Sequence, residues 1–255
     1  MKGSLGKWLP RPTRKSKPAI SNVAADRHSE AEDANLLNDP DEIARREAEN
    51  GLKQFTLAID IIRSYVKDAE RSFKLRAGPI LQLHQAALDG LHRLAGTFRN
   101  TPVKIHGSLH EPPEAAFVAD EVQALREYVN DNWDLSAAHL AAYVLWKMNW
   151  IHPFADGNGR TARAISYVVL SIKLDSLLPG TPTIPEQIAT NKGPYYKALE
   201  DADRAWGSGK IDVSALEKLL ADMLAQQLLN AAKEATGEDL QLPGGPAPGR
   251  SVSAC

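Results

Sequence analysis

His152-Pro-Phe-Ala-Asp156-Gly-Asn158-Gly-Arg160-Thr-Ala-Arg163 is a polar bend set between two apolar runs. The run before it, Ala137 to Trp150, carries Leu140, Val144 and Met148 at intervals of four. The run after it begins near Gly159 and continues through Ile165, Val168, Val169 and Ile172. Both spacings are those of an α-helix with one buried face. Asp134 or Ser136 stands where the first of these helices needs an N-cap. A chain that returns on itself through such a bend packs helix against helix, so the expected fold class is mainly α.

The rest of the chain agrees. Asp39-Pro40 precedes a long periodic run with Ile43, Leu52, Phe55, Ile59, Ile62 and Val66 on its apolar stripe. Gly78-Pro79 opens a second helix, with Leu81, His84, Leu88, Leu91 and Leu94 aligned and a close near Gly96. Pro112-Pro113 opens a third that buries Val118, Val122, Leu125 and Val129. Later helices are expected over 195–206 and 212–235. Only Thr97 to Gly107 reads as strand. It alternates weakly around Phe98, Val103 and Ile105 and predicts a short β-hairpin flap projecting from the helical body. Three regions follow: a basic and polar N-terminal tail over 1–38, a helical domain over 39–236, and a Pro/Gly-rich C-terminal tail over 237–255. Both tails are expected to be disordered, with a short docking segment around Trp8.

The 255 residues carry a net charge of -2, which gives no field for nucleic acid and argues against a nucleic-acid partner. Cys255 is the single cysteine, so no disulfide framework or thiolate metal site can form within the chain. Neither a secretory apolar region nor a run of membrane-spanning length is present. A cytoplasmic protein without a membrane partner is the expectation.

The bend itself has the parts of a phosphate site. Gly157 and Gly159 permit backbone conformations that let successive N–H groups turn toward one anion. The positive end of the following helix points to the same place. Arg160 and Arg163, three apart, start on one face, and their forked donors suit phosphate oxygens. Asp156 offers the hard oxygen that Mg²⁺ prefers beside phosphates and water. His152 is a base that titrates near neutrality. Phosphoryl and nucleotidyl transfer need this combination, because positioning and charge stabilisation supply most of their catalysis.

These residues closely resemble the signature of the Fic family, His-Pro-Phe-x-x-Gly-Asn-Gly-Arg-x-x-Arg. The similarity extends over roughly 40–225: Gly96-Thr-Phe-Arg99, Val103-Lys104-Ile105 and Pro112-Pro113 look like the family's flap region, and Tyr195 to Glu200 like the helix after its core. The resemblance implies a Fic-type helical domain and a protein adenylyltransferase that uses ATP with Mg²⁺. His152 would deprotonate the target hydroxyl, and Asp156 would hold the metal. Gly157, Asn158 and Gly159 would form the anion hole, with Arg160 on the β-phosphate and Arg163 on the γ-phosphate. Val103, Lys104 and Ile105 would pair with an extended segment of the protein substrate. Gly157 and Gly159 at both loop positions favour AMP transfer over the family's other chemistries.

Several alternatives stand beside this reading. Many relatives silence themselves through a Ser/Thr-x-x-x-Glu-Gly/Asn segment. Here Glu49-Asn50 matches, but Arg45 occupies the Ser/Thr position, so an inhibitory Glu49–Arg163 pair competes with a plain solvated helix face. If Glu49 reaches the site, removal of AMP is a competing activity. A toxin with a separate antitoxin, a homodimer, and a nucleotide-sensing regulatory module are further readings. His84 and His92 are read as packing or surface residues, and His106 and His110 as solvated flap residues. Asn191, Lys192 and Tyr195 either line the base side or pack the loop, and Asp203 stands where relatives often carry Asn.

Overall fold

The computed structural model describes residues 27, 29–30, 35–66, 68 and 72–237. Expectations for the first 26 residues, Trp8 among them, and for 238–255 lie outside these. The element order is β1 (Ser29–Glu30), α1 (Pro40–Val66), α2 (Ala77–Leu88), β2 (Lys104–Ile105), a 3₁₀ turn (Ala115–Phe117), α3 (Val118–Asp131), α4 (Ala137–Ile151), α5 (Asn158–Lys173), α6 (Ile184–Thr190), α7 (Lys192–Gly207) and α8 (Ser214–Thr236). The molecule is mainly α, as the periodicities require. Among the described residues, no helix is long and apolar enough to cross a membrane.

α4 is the centre of the core. Leu140 through Met148 are buried without a break, which is the pattern of a helix covered on every side. Ser136 caps it, accepting from the His139 N–H. α5 packs along α4 through Ala162, Ile165, Val169 and Ser166, whose hydroxyl donates to the Ala141 carbonyl at 2.8 Å.

α1 departs from its expected stripe. It buries Asn50, Gln54, Ala58 and Ile62, while Leu52 is 71% exposed and Phe55 44%. The reason is a pair of side-chain bonds to the backbone of α2, one just past its end and one at a carbonyl within it. Asn50 Nδ2 donates to the Asp89 carbonyl at 2.8 Å and Gln54 Nε2 to that of Leu83 at 3.0 Å. Those bonds turn a polar face inward. α2 ends at Leu88 rather than near Gly96, and tight turns carry the chain on.

The flap also differs from expectation. Within 97–107 only Lys104–Ile105 is a strand, and its partner is not a second arm of a hairpin. It pairs antiparallel with β1, Ser29 opposite Ile105 and Glu30 opposite Lys104. So the described part of the 1–38 region lies on the domain. A two-residue strand cannot be stable alone, and other contacts hold this one.

Candidate active site

α4 ends at Ile151, and His152 takes a left-handed conformation (φ 50°, ψ 60°) while its N–H still bonds to the Met148 carbonyl. That conformation is costly for a residue with a side chain and persists only where the surroundings impose it. Arg99 imposes it here. Its guanidinium is buried and donates to the carbonyls of His152 (2.8 Å), Thr101 (3.1 Å), Pro113 (2.6 Å) and Ile151 (3.4 Å). Its own N–H donates to the Pro153 carbonyl at 2.9 Å. One side chain thereby joins the flap to the bend.

The bend is then closed from below. Phe154 is fully buried and stacked on His84, with ring centroids 3.7 Å apart and planes 4° from parallel. His84 Nδ1 accepts the Gly96 N–H at 2.9 Å, so Nε2 carries the proton and donates to the Asp156 carbonyl at 3.0 Å. Burial pushes the His84 pKa down to about 4, which keeps this neutral tautomer. Asn158 acts as a staple across the bend. Its Oδ1 accepts the Phe154 N–H at 2.9 Å and its Nδ2 donates to the Phe154 carbonyl at 2.8 Å. Its side chain is thus spent on the loop, leaving the backbone N–H for an anion.

The two glycines have different reasons. Gly157 is the left-handed N-cap of α5 (φ 72°), and a Cβ there would stand 2.9 Å from Leu88 Cδ2. Gly159 is helical; its missing side chain leaves room for the Arg163 guanidinium, 3.3 Å from where a Cβ would be. The expectation that both serve backbone freedom holds only for the first. No side chain caps α5, so its first N–H groups and positive end face the bend. Arg160 and Arg163 share a face, as spacing predicts, and both line a cavity of about 570 Å³ above the loop.

His152 stands at one wall of that cavity. Its Nδ1 donates to the Asn149 carbonyl at 3.2 Å, leaving the Nε2 lone pair directed outward. Burial lowers its pKa to about 4, His110 and Arg99 add to the effect, and the Asn149 bond opposes it. At neutral pH the ring is therefore in the form a base requires. Nε2 meets a hydroxyl, Ser29 Oγ, at 2.8 Å.

Asp156 lines the same cavity with its side chain half-exposed, 3.4 Å from Arg160. It does not cap α5. Among the described residues, no three His, Cys, Asp or Glu cluster as a metal cage. A lone half-exposed carboxylate at an anion site still fits Mg²⁺, which commonly takes one carboxylate and fills the remaining positions with phosphate and water.

From α1, the carboxylate that reaches Arg160 is Glu47, at 2.9 Å. Glu49 lies off the cavity, exposed, 3.9 Å from Arg46. The structure does not bring Glu49 to Arg163. Of the expected flap residues, Ile105 lines the cavity, Lys104 is exposed in β2, and Val103 is buried beside it. His110 is not solvated; its Nε2 donates to the Trp150 carbonyl at 2.7 Å. Lys192 and Tyr195 line the cavity, whereas Asn191 stands at the N-cap position of α7 without a side-chain cap bond. Burial raises the Tyr195 pKa to about 12, so its phenol is un-ionised. Asp203 accepts from Trp146 Nε1 at 2.8 Å on the same wall. Sequence reasoning missed Glu47, Ser29 and the stacking role of His84. None has a local signal, because each acts on a residue more than 60 positions away.

Fold and site together define a helical protein whose bend sets an uncapped helix N-terminus, two arginines and a neutral imidazole facing a hydroxyl around one cavity. Residues 74–170 match the model of the Fic/DOC family. It is 32% identical over 152 residues to a protein adenylyltransferase Fic of Nematostella vectensis, covering 58% of this chain and 34% of that one. A protein of the same name from Drosophila persimilis is 28% identical over 178 residues, 68% of this chain and 32% of that one. The matched part thus spans about a third of these relatives' own length. A Fic domain containing signaling protein from Bacteroides thetaiotaomicron superposes with a TM-score of 0.59 at 22% identity, covering 75% of this chain and 74% of that one. Fic-1 of C. elegans gives 0.54 at 22%, covering 73% and 52%. These likenesses establish the shared fold.

Proposed function

We propose that the chain is a protein adenylyltransferase, moving AMP from ATP to a hydroxyl side chain of a protein laid along the flap. The observation that carries the proposal is the 2.8 Å approach of a serine hydroxyl to His152 Nε2 directly beside the bend. A base that already faces an alcohol over an anion site is placed for in-line attack on phosphorus. The relatives named adenylyltransferases support the same chemistry.

In this mechanism the backbone N–H groups of Gly157, Asn158 and Gly159 hold phosphate oxygens. Arg160 and Arg163 neutralise the charge that builds on the leaving pyrophosphate. Arg99 and Asn149 keep the imidazole tautomer and tilt constant. His152 Nε2 accepts the hydroxyl proton as the new P–O bond forms. Mg²⁺, held by Asp156, would supply charge neutralisation between phosphates. The main chain of Lys104 and Ile105 sets the acceptor's register without reading its side chains. A cytoplasmic setting, rich in ATP, suits this reaction.

The reading is tested with ATP labelled at the α- or γ-phosphate, Mg²⁺ and a cell lysate. Label from the α-position on protein, lost in His152→Ala, is the expected result. Label from the γ-position alone would mean a kinase, and nucleotide binding without transfer a sensor.

A further inference from the structure

The strand that pairs with the flap belongs to this chain. β1 sits in the position where an acceptor segment would lie, two residues in antiparallel register with Lys104–Ile105. Its Ser29 hydroxyl is 2.8 Å from His152 Nε2, and Asn158 Nδ2 lies 3.4 Å from the same oxygen. Because His152 Nδ1 already donates to Asn149, Nε2 can only accept, so the Ser29 O–H donates. Chance placement of an alcohol on the lone pair of a buried imidazole is not a packing solution that a solvated tail needs.

The segment is also anchored on both sides of Ser29. Before it, the Arg27 N–H donates to the Tyr196 hydroxyl at 3.2 Å. The Arg27 guanidinium lies 4.4 Å over the Tyr196 ring and pairs with the Glu200 carboxylate. After it, Asn35 bridges to His92, and the Leu36 N–H donates to the Leu91 carbonyl at 2.9 Å. Contacts with α7 on one side and with the turn after α2 on the other fix where the two-residue strand must lie. Arg27, Ser29, His152, Arg160 and Arg163 line one continuous cavity.

We propose that Ser29 is an acceptor of the AMP group: the chain modifies itself within one molecule. This rests on the adenylyl-transfer reading above. Ser29 Oγ passes its proton to His152 Nε2 and forms a bond to the α-phosphorus of ATP. The bond from that phosphorus to the oxygen bridging to the β-phosphate breaks, and pyrophosphate leaves. The product is a phosphodiester between Ser29 and AMP, and the imidazolium returns its proton to water. Until that happens, β1 occupies the flap edge that any other protein acceptor needs, so self-modification and access of other acceptors are linked.

The test uses the purified 255-residue chain with Mg²⁺ and ATP labelled at the α-phosphate, followed by peptide mapping and by addition of lysate. The expected result is one AMP per chain on Ser29. Ser29→Ala abolishes it, Ser29→Thr retains it, and His152→Ala slows it by about 100-fold or more. Arg27→Ala, which loosens the anchor without touching the reacting atoms, slows it by roughly 5-fold, because misplacement of a reactant weakens proximity. The rate per chain should not change on dilution. Mixing His152→Ala chains with Ser29→Ala chains should give no label, and label passing between them would overturn the intramolecular assignment. Label on lysate proteins with none on Ser29 would overturn the proposal and leave the transferase reading intact. No label on any protein would overturn both.

Discussion

The bend at 152–163 and the segment at 27–36 meet at the Ser29 hydroxyl but are built in opposite ways. Every determinant of the bend's shape is either inside it or buried directly beneath it: the left-handed His152 and Gly157, the Asn158 staple, and the stacked Phe154. In its described residues, 27, 29–30 and 35–36, the segment meets the domain rather than itself. It is held by single contacts to Tyr196, Glu200, Ile105 and Leu91, far away in sequence. A catalytic bend must keep its geometry through many turnovers, whereas an acceptor must be able to leave. Their construction matches those two demands.

Acid should break the bend first. His84 and His152 have folded pKa values of about 4, below the unfolded value of 6.5. Between those values the unfolded chain binds more protons, so stability is full above about pH 6.5 and falls as pH drops toward 4. Each ring contributes on the order of 3 kcal/mol. Denaturant titrations at several pH values should show this slope, and His152→Gln should flatten part of it. A profile without slope in that window would mean the rings are not buried in the neutral form.

Asn158→Ala leaves the buried Phe154 N–H and carbonyl without partners. A loss of about 2–4 kcal/mol is expected, with transfer activity falling in parallel. Gly157→Ala adds a Cβ at φ 72° against Leu88, and a loss of about 1–3 kcal/mol by thermal melting is expected. If either variant melted like the parent, the bend would be more compliant than its contacts indicate. The smallest effect sharpens the contrast. Glu47→Ala frees the exposed end of Arg160 and should tighten nucleotide binding a few-fold in calorimetry, at less than about 1 kcal/mol in stability. Glu49→Ala should change neither. Equal responses would return the regulatory role to both acids.

Much of the bend could be read from sequence because its determinants are local. Glycine at 157, arginines three apart and a histidine at a helix end carry their meaning within one turn. The failures have a common physical cause, which is distance along the chain. Glu49 matched a pattern, yet two residues along a helix are about 200° of rotation, so Glu47 meets Arg160 while Glu49 faces water. Leu52 and Phe55 formed a credible stripe, but bonds to the Asp89 carbonyl just past α2 and to the Leu83 carbonyl within it turn Asn50 and Gln54 inward instead. His84 looked like one more helical residue until Phe154, 70 positions on, stacked against it. β1 had no alternation to detect, since two residues show no period. Its place depends on an edge that exists only after the helices have packed.

Arg99 has a wider consequence. Because a single planar cation grips carbonyls of Thr101 and Pro113 as well as those of Ile151 and His152, the flap cannot swing without dragging the imidazole along. The ruler and the blade are bolted together, so a strand's main chain, whatever its side chains, is measured off from the same fixed point at which its hydroxyl loses a proton.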